Sequence, residues 1–217
     1  MAKQLADILG ADKALIFRIT HRDNIPDILK NGLHCRNSEH VDPGFVPIGN
    51  PEIIDKRKAR HVACRPGGTL ADYVPFYFTP CTPMLYNIVS GHNGLKRYGR
   101  SEIVVLVSSL PRLDNGEIDY VIADRNATLV NASIKPGRAL VSGLPWHHLR
   151  EHDFSRDPND PEKLERYMAE ALVHQHLPTS ALSGIITYNK ATQVSVTQAV
   201  SDAQLAIGVQ AAGHWYP

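Results

Sequence analysis

Apolar and polar positions alternate along this chain in short blocks, and few blocks keep one period for long. Residues 14–20 (ALIFRIT), 72–79 (DYVPFYFT), 101–109, 120–123 and 183–188 are β-branched or aromatic runs of strand length. Helical spacing predicts short helices over 3–9, ending at Gly10, and over 21–29, where Ile25, Ile28 and Leu29 share a face and Asn31-Gly32 stops the chain. Pro26 is tolerated there because it falls in the first turn. A charged helix is expected over 52–62, and another over 83–89 with Thr82 as N-cap and Pro83 at its first position. The longest helical pattern runs over 161–176, with Leu164, Met168, Ala171, Leu172 and Gln175 in register and Leu177-Pro178 closing it. Residues 193–200 fit a strand or a helix. Residues 34–50 and 91–100 are loop-like, and 126–161 shows little periodicity, as expected of a long lid or substrate loop. Short strands and short helices without regular alternation predict an α+β fold, one domain over 1–217.

Composition narrows the function. The chain has 217 residues, 43% hydrophobic and 21% charged, which excludes a disordered chain and leaves room for a sizeable core. With 23 Lys+Arg against 22 Asp+Glu the net charge is +1, so nucleic-acid binding has to come from a local basic patch. The longest apolar run covers only residues 103–107, so no membrane span is expected, and Lys3, Asp7 and Asp12 argue against a signal peptide. Cys35, Cys64 and Cys81 are widely spaced without a C-x-x-C pair, as expected of buried thiols in a reducing, cytoplasmic compartment. His147, His148 and His152, like His174 and His176, match no metal-ligand spacing, so no metal is expected. Dinucleotide-fold, P-loop and nucleophile-elbow signatures are all absent.

Four constellations could carry chemistry. Arg18, Thr20 and His21, followed by Asp23-Asn24, place phosphate-binding groups at a strand end and a helix start, although Thr20 or Asp23 could simply be caps. Lys56-Arg57-Lys58 with Arg60 and His61 is a phosphate-contacting patch or a solvated helix face. Tyr73, Tyr77 and Tyr86 could stack a base or a nicotinamide ring, or belong to the core. Glu170 stands at the edge of an apolar face among small and apolar neighbours. There an ionised carboxylate is costly unless paired, whether with Arg166 one turn back or in a functional site.

Taken in order, RITHRDNIPDIL, DYVPFYFTPCTPMLYNI with Gly91-His92, ADRNA at 123–127, RYMAEALVHQHLP and a C-terminal Trp-Tyr resemble the DarT family, from about residue 16 to 216. These are bacterial toxins, paired with the macrodomain antitoxin DarG, that ADP-ribosylate a base of single-stranded DNA. The resemblance implies an ADP-ribosyltransferase-like split β-sheet core, NAD as co-substrate and a substrate loop ahead of the catalytic glutamate. Its catalytic glutamate falls on Glu170. Its essential arginine falls on Arg57, with Lys56 and Arg60 beside it in the basic helix as substrate-binding cations. The NAD block falls on Arg18, Thr20, His21 and Asn24, aromatics Tyr77 and Tyr86 are implied to stack nicotinamide, and Asn126 is implied to bind substrate. Where the family often has His-x-Thr-His, this chain has Arg18-Ile19-Thr20-His21, and an arginine there can hold a diphosphate bidentately. The implied acceptor is thymine; guanine, or a protein acceptor, is the alternative.

Overall fold

A computed structural model describes residues 5–217; Lys3 and Gln4, at the start of the expected first helix, lie outside them. In chain order the elements are α1 (Leu5–Ile8), β1 (Leu15–His21), α2 (Ile25–Asn31), β2 (Leu33–His34), α3 (Pro51–Ala59), β3 (Tyr73–Tyr77), α4 (Pro83–Ser90) and β4 (Ile103–Ser109). There follow α5 (Leu110–Asn115), β5 (Tyr120–Ala123), β6 (Ile134–Pro136), α6 (Trp146–Glu151), α7 (Lys163–Tyr167), β7 (Glu170–His174), β8 (His176–Leu177), β9 (Gly184–Thr187), α8 (Lys190–Asp202) and β10 (Gly208–Ala211).

Local chemistry sets several of these boundaries. A single 3-10 turn, Arg22–Asn24, precedes α2 and accommodates Pro26. Gly32 ends α2 at φ +77°, where a Cβ would meet the Leu177 carbonyl at 2.5 Å. The Thr82 hydroxyl accepts from Leu85 N–H at 3.1 Å and Pro83 opens α4. Asn50 caps α3 through its contact with Glu52 N–H, and residues 193–200 are helical, within α8.

Eight strands form one mixed sheet in the order β10-β9-β4-β1-β3-β7-β5-β6, antiparallel throughout except for the β9–β10 pair. β1 pairs with β4 over seven residues and β3 with β7 over five. Between β1 and β3, however, the register is a single pair, Phe17 opposite Tyr77. The sheet is therefore two four-stranded halves diverging from that point. β2 and β8 form a separate two-stranded ribbon.

Two sequence expectations fail here, for identifiable reasons. The helix expected over 161–176 stops at Tyr167, and Glu170–His174 is a strand in the interior of the sheet. Ala171 and Val173 enter the main core while Leu172 enters a smaller one with Val62, Leu70, Tyr73, Val121, Ala123 and Ala127. A strand buried on both faces reads as a continuous apolar run, which the preceding helical turn extended into a false helical pattern. Nor is 126–161 a structureless loop. It contains β6 and α6, and Val141, Leu144, Trp146 and Leu149 are buried in the main core. Its apolar residues anchor separate short turns, so no common period appears.

Candidate active site in the split of the sheet

Glu170 is the first residue of β7 and faces the opening between the two half-sheets. It pairs across strands with Tyr77 on one side and Ala123 on the other. Its side chain is only 3% exposed. Oε2 lies 2.8 Å from Nη1 of Arg57, and Oε1 accepts from the backbone N–H of Ala127 at 3.0 Å. Both oxygens are thus oriented by hydrogen-bond donors, one of them a guanidinium, which offsets the cost of burying the carboxylate. The i−4 pairing with Arg166 does not form; Arg166 contacts Asp160 and Glu162 instead.

Arg57 arrives from the last turn of α3, a helix that buries none of its own residues. Across the split, Arg18 on β1 donates from Nη1 to the carbonyl of Pro75 at 2.9 Å. Arg57 Nη2 and Arg18 Nε are buried and have no hydrogen-bond partner. Burial first, and the neighbouring Arg57 second, bring the Arg18 guanidinium down to about 10, against the opposing pull of Tyr77 and Glu170. The Tyr77 phenol is driven upward by its own burial and then by Glu170, so it remains a neutral hydroxyl, set 3.4 Å from Met84 Sδ. Two guanidinium groups against one carboxylate, each with an unused N–H, suit an anionic ligand.

These groups line a cavity of about 480 Å³, together with Thr20 and Asn126. One wall comes from the segment expected to be loop-like: Val41, Phe45, Pro47 and Ile48 all border the cavity. Asn24 holds that wall in place. Its Nδ2 donates to Thr20 Oγ1 and to the Val46 carbonyl, both at 3.0 Å, and its Oδ1 accepts from Val46 N–H at 2.7 Å.

Of the residues expected at the site, Arg18, Thr20, Arg57, Tyr77, Asn126 and Glu170 come together around this cavity. His21, Asn24, Lys56, Arg60 and Tyr86 are not among the residues lining it. His21 is buried between the Asp23 backbone, Glu102 and the edge of Tyr98. Asn24 has its amide committed to Thr20 and Val46. Lys56 is exposed on α3, and Tyr86 is half-exposed on α4. Arg60 donates to the carbonyls of Leu129 and Val130 at 3.2 and 3.4 Å. Tyr73, proposed for stacking, borders the cavity too, although it packs in the small core with its hydroxyl on the Gly67 carbonyl. Sequence reasoning missed the Ala127 N–H, which has no side-chain signature. It also missed the 41–48 wall, although an apolar quartet inside a polar loop was a usable signal.

A sheet parted beside a buried Arg–Glu pair, over a pocket able to seat an anionic ligand, is the architecture of ADP-ribosyltransferases. The chain matches the family described as "DarT: ssDNA thymidine ADP-ribosyltransferase" over residues 17–217, and it belongs to that family. It is 45% identical over 216 residues to a DNA ADP-ribosyl transferase of Escherichia coli O127:H6, covering 100% of this chain and 99% of that one. The Thermus sp. 2.9 DarT in complex with ADP-ribosylated ssDNA superposes with a TM-score of 0.87 at 28% identity, over 95% of this chain and 97% of that one. The same Thermus protein in complex with NAD+ gives 0.81 at 28% identity, covering 95% and 98%. A Thermosipho africanus protein described as a DNA ADP-ribosyl transferase-DNA ADP-ribosyl glycohydrolase fusion is 26% identical over 199 residues, 88% of this chain and 47% of its own length. No helix among the described residues is long and apolar enough to cross a membrane.

Proposed function

We propose that this protein transfers ADP-ribose from NAD to a thymine of single-stranded DNA, releasing nicotinamide, and that Glu170 and Arg57 carry the reaction. The observation that bears most weight is the 3%-exposed Glu170 carboxylate, paired with Arg57 at the point where the sheet parts. The unpartnered N–H groups of Arg18 and Arg57 fit a diphosphate, and the cavity is of the volume expected for a substrate site.

In the transfer, the nicotinamide–ribose bond breaks with its electron pair going to the nicotinamide nitrogen. The acceptor nitrogen of the base then bonds to the same ribose carbon and gives up its proton to solvent. Positive charge builds on the ribose as the first bond breaks, and the Glu170 carboxylate stabilises it, already oriented by Arg57 and the Ala127 N–H. Arg57, whose guanidinium offers N–H donors and no acceptor, acts electrostatically on the diphosphate and on negative charge growing at the base. Tyr77 supplies a neutral aromatic surface for nicotinamide. The base comes from an unpaired strand, because its reacting nitrogen is out of reach inside a duplex.

The biological reading is a cytoplasmic toxin held in check by a macrodomain antitoxin of the DarG type; the transferase–glycohydrolase fusion of Thermosipho africanus supports the pairing. Incubation with NAD and a single-stranded oligonucleotide, followed by nuclease digestion and mass spectrometry, tests the activity and the base together. ADP-ribosyl-thymidine is expected. A modified guanosine would overturn the base assignment, and label on added protein alone would overturn DNA as the acceptor.

A further inference from the structure

Arg57 and Arg60 leave the same end of α3 three residues apart and diverge, one into the cleft and one beside it. Arg57 goes to the Glu170 carboxylate, and Arg60 goes to the turn that joins β5 to β6. That turn, residues 124–133, is closed on itself. Asp124 N–H donates to the Ser133 carbonyl at 3.1 Å, and the Asp124 carboxylate accepts from Ser133 N–H at 2.9 Å. Asn126 Oδ1 accepts from Thr128 N–H and Oγ1, and Leu129 and Ala132 close two further backbone turns. At its tip Val130 is 90% exposed.

Arg125 ties the start of the turn to Glu162 and Glu165 of the α7 region, and further contacts hold the rest of it against the site. Asn126 N–H donates to the Glu165 carbonyl at 3.1 Å, Ala127 N–H to Glu170 Oε1 at 3.0 Å, and Arg60 Nη2 to the carbonyls of Leu129 and Val130. The Arg125, Asn126 and Ala127 contacts all grip one arm. Among the described contacts, Arg60 alone ties the far end. It also closes a ring: helix α3 to Glu170 through Arg57, Glu170 to the turn through Ala127, and the turn back to α3 through Arg60. A displacement of the tip therefore pulls on the same helix that positions Arg57.

We propose that Arg60 is a positioning residue for the acceptor: by fixing the tip of the 124–133 turn it sets where the incoming base stands over Glu170, and so divides ADP-ribose between DNA and water. This rests on the reading above that the cleft serves DNA. Both fates break the same nicotinamide–ribose bond. In one the ribose carbon then bonds to the base nitrogen, in the other to a water oxygen, and either nucleophile loses its proton to solvent. Arg60 touches neither reacting group, so its effect falls on which nucleophile arrives in position.

The test uses the full chain with labelled NAD and a single-stranded oligonucleotide, measuring nicotinamide released and oligonucleotide labelled in the same reaction. For Arg60→Gln, the ratio of labelled oligonucleotide to released nicotinamide is expected to fall about tenfold, with a raised KM for the oligonucleotide. Arg60→Lys, which keeps a cationic donor near the two carbonyls, is expected to recover part of the ratio. A ratio equal to that of the parent overturns the proposal, including the case in which both products fall together, because loss of folded protein lowers both alike. A parent chain that releases nicotinamide but labels no oligonucleotide overturns the DNA reading itself, a different failure from an unchanged ratio.

Discussion

Tyr77 stands directly opposite Glu170 in the pairing of β3 with β7, and on its other side it makes the single register pair, with Phe17, that joins the two halves of the sheet. The carboxylate and the parting point therefore share one row of the sheet. Strands that diverge beyond that row open a space without a loop having to create it, and rigid strands fix the groups on its walls more tightly than loops would.

The role of Arg57 is directional as well as electrostatic. Nη1 meets Glu170 while Nη2 is buried without a hydrogen-bond partner, a fork that a lysine ammonium cannot reproduce. Arg57→Lys is expected to lower kcat for oligonucleotide labelling by about 100-fold. Parental turnover in steady-state labelling would show that charge alone suffices.

Asn24 acts through the wall it pins. Replacing it by alanine leaves the Val46 N–H and carbonyl without their partner, at a cost of about 2 kcal/mol. Asn24→Ala is expected to lower Tm by roughly 4–8 °C. It should also weaken NAD binding, since the 41–48 segment closes the pocket. Calorimetric unfolding and an NAD titration check both parts; an unshifted NAD affinity would detach the wall from cofactor binding.

Acid sensitivity is expected from the ribbon beside the pocket. His34 stacks on His176 with centroids 4.3 Å apart and lies 5.4 Å from His40. Burial, then His176, then His40 lower its pKa below the ordinary 6.5, while the Asn31 carbonyl and Asp27 oppose the shift. With its pKa lowered on folding, His34 binds fewer protons folded than unfolded, so stability falls as pH drops through 6.5 towards the lowered value. Tm is expected to decrease between about pH 7.5 and about pH 5.5, and His34→Gln to flatten that dependence. An identical slope in the variant would place the acid sensitivity elsewhere.

Access sets the preference for strand state. With Glu170 at the inner end of the cleft, a base has to leave its stack to reach it. A matched duplex is expected to be labelled about tenfold less than its single strand, or less still. Equal labelling of the two, read by gel shift or scintillation, would contradict base extrusion as the route.

How much of this was legible in the sequence depends on what each residue has to do. Glu170 could be found without its element being right: an acidic residue among Ala169, Ala171, Leu172 and Val173 is anomalous in a buried helix or a buried strand. The DarT-like blocks pointed to Thr20 and Asn126, and the resemblance pointed to Arg57 in the basic helix outside them; all three line the cavity. Asn24 and His21 lie in the same block, yet neither lines the pocket, since a motif records that a residue is needed and not whether it touches ligand or backbone. The turn at 124–133 was hidden because most of its hydrogen bonds engage a backbone group on at least one side, which leaves no residue pattern, and Arg60 looked like one more cation in a basic run. The strand at 170–174 was misread because its alternate residues serve two different cores, which removes the period that marks a half-buried strand.

The most direct test replaces the carboxylate while keeping its shape. In Glu170→Gln the Arg57 and Ala127 contacts lose their anionic partner, and ADP-ribosylation of a single-stranded oligonucleotide, followed by mass spectrometry, is expected to fall by about 1,000-fold or more. NAD should still raise the melting temperature of the variant, because Arg18 and Arg57 remain to bind it. Labelled DNA formed at close to the parental rate by Glu170→Gln would contradict the assignment of this carboxylate to the chemistry.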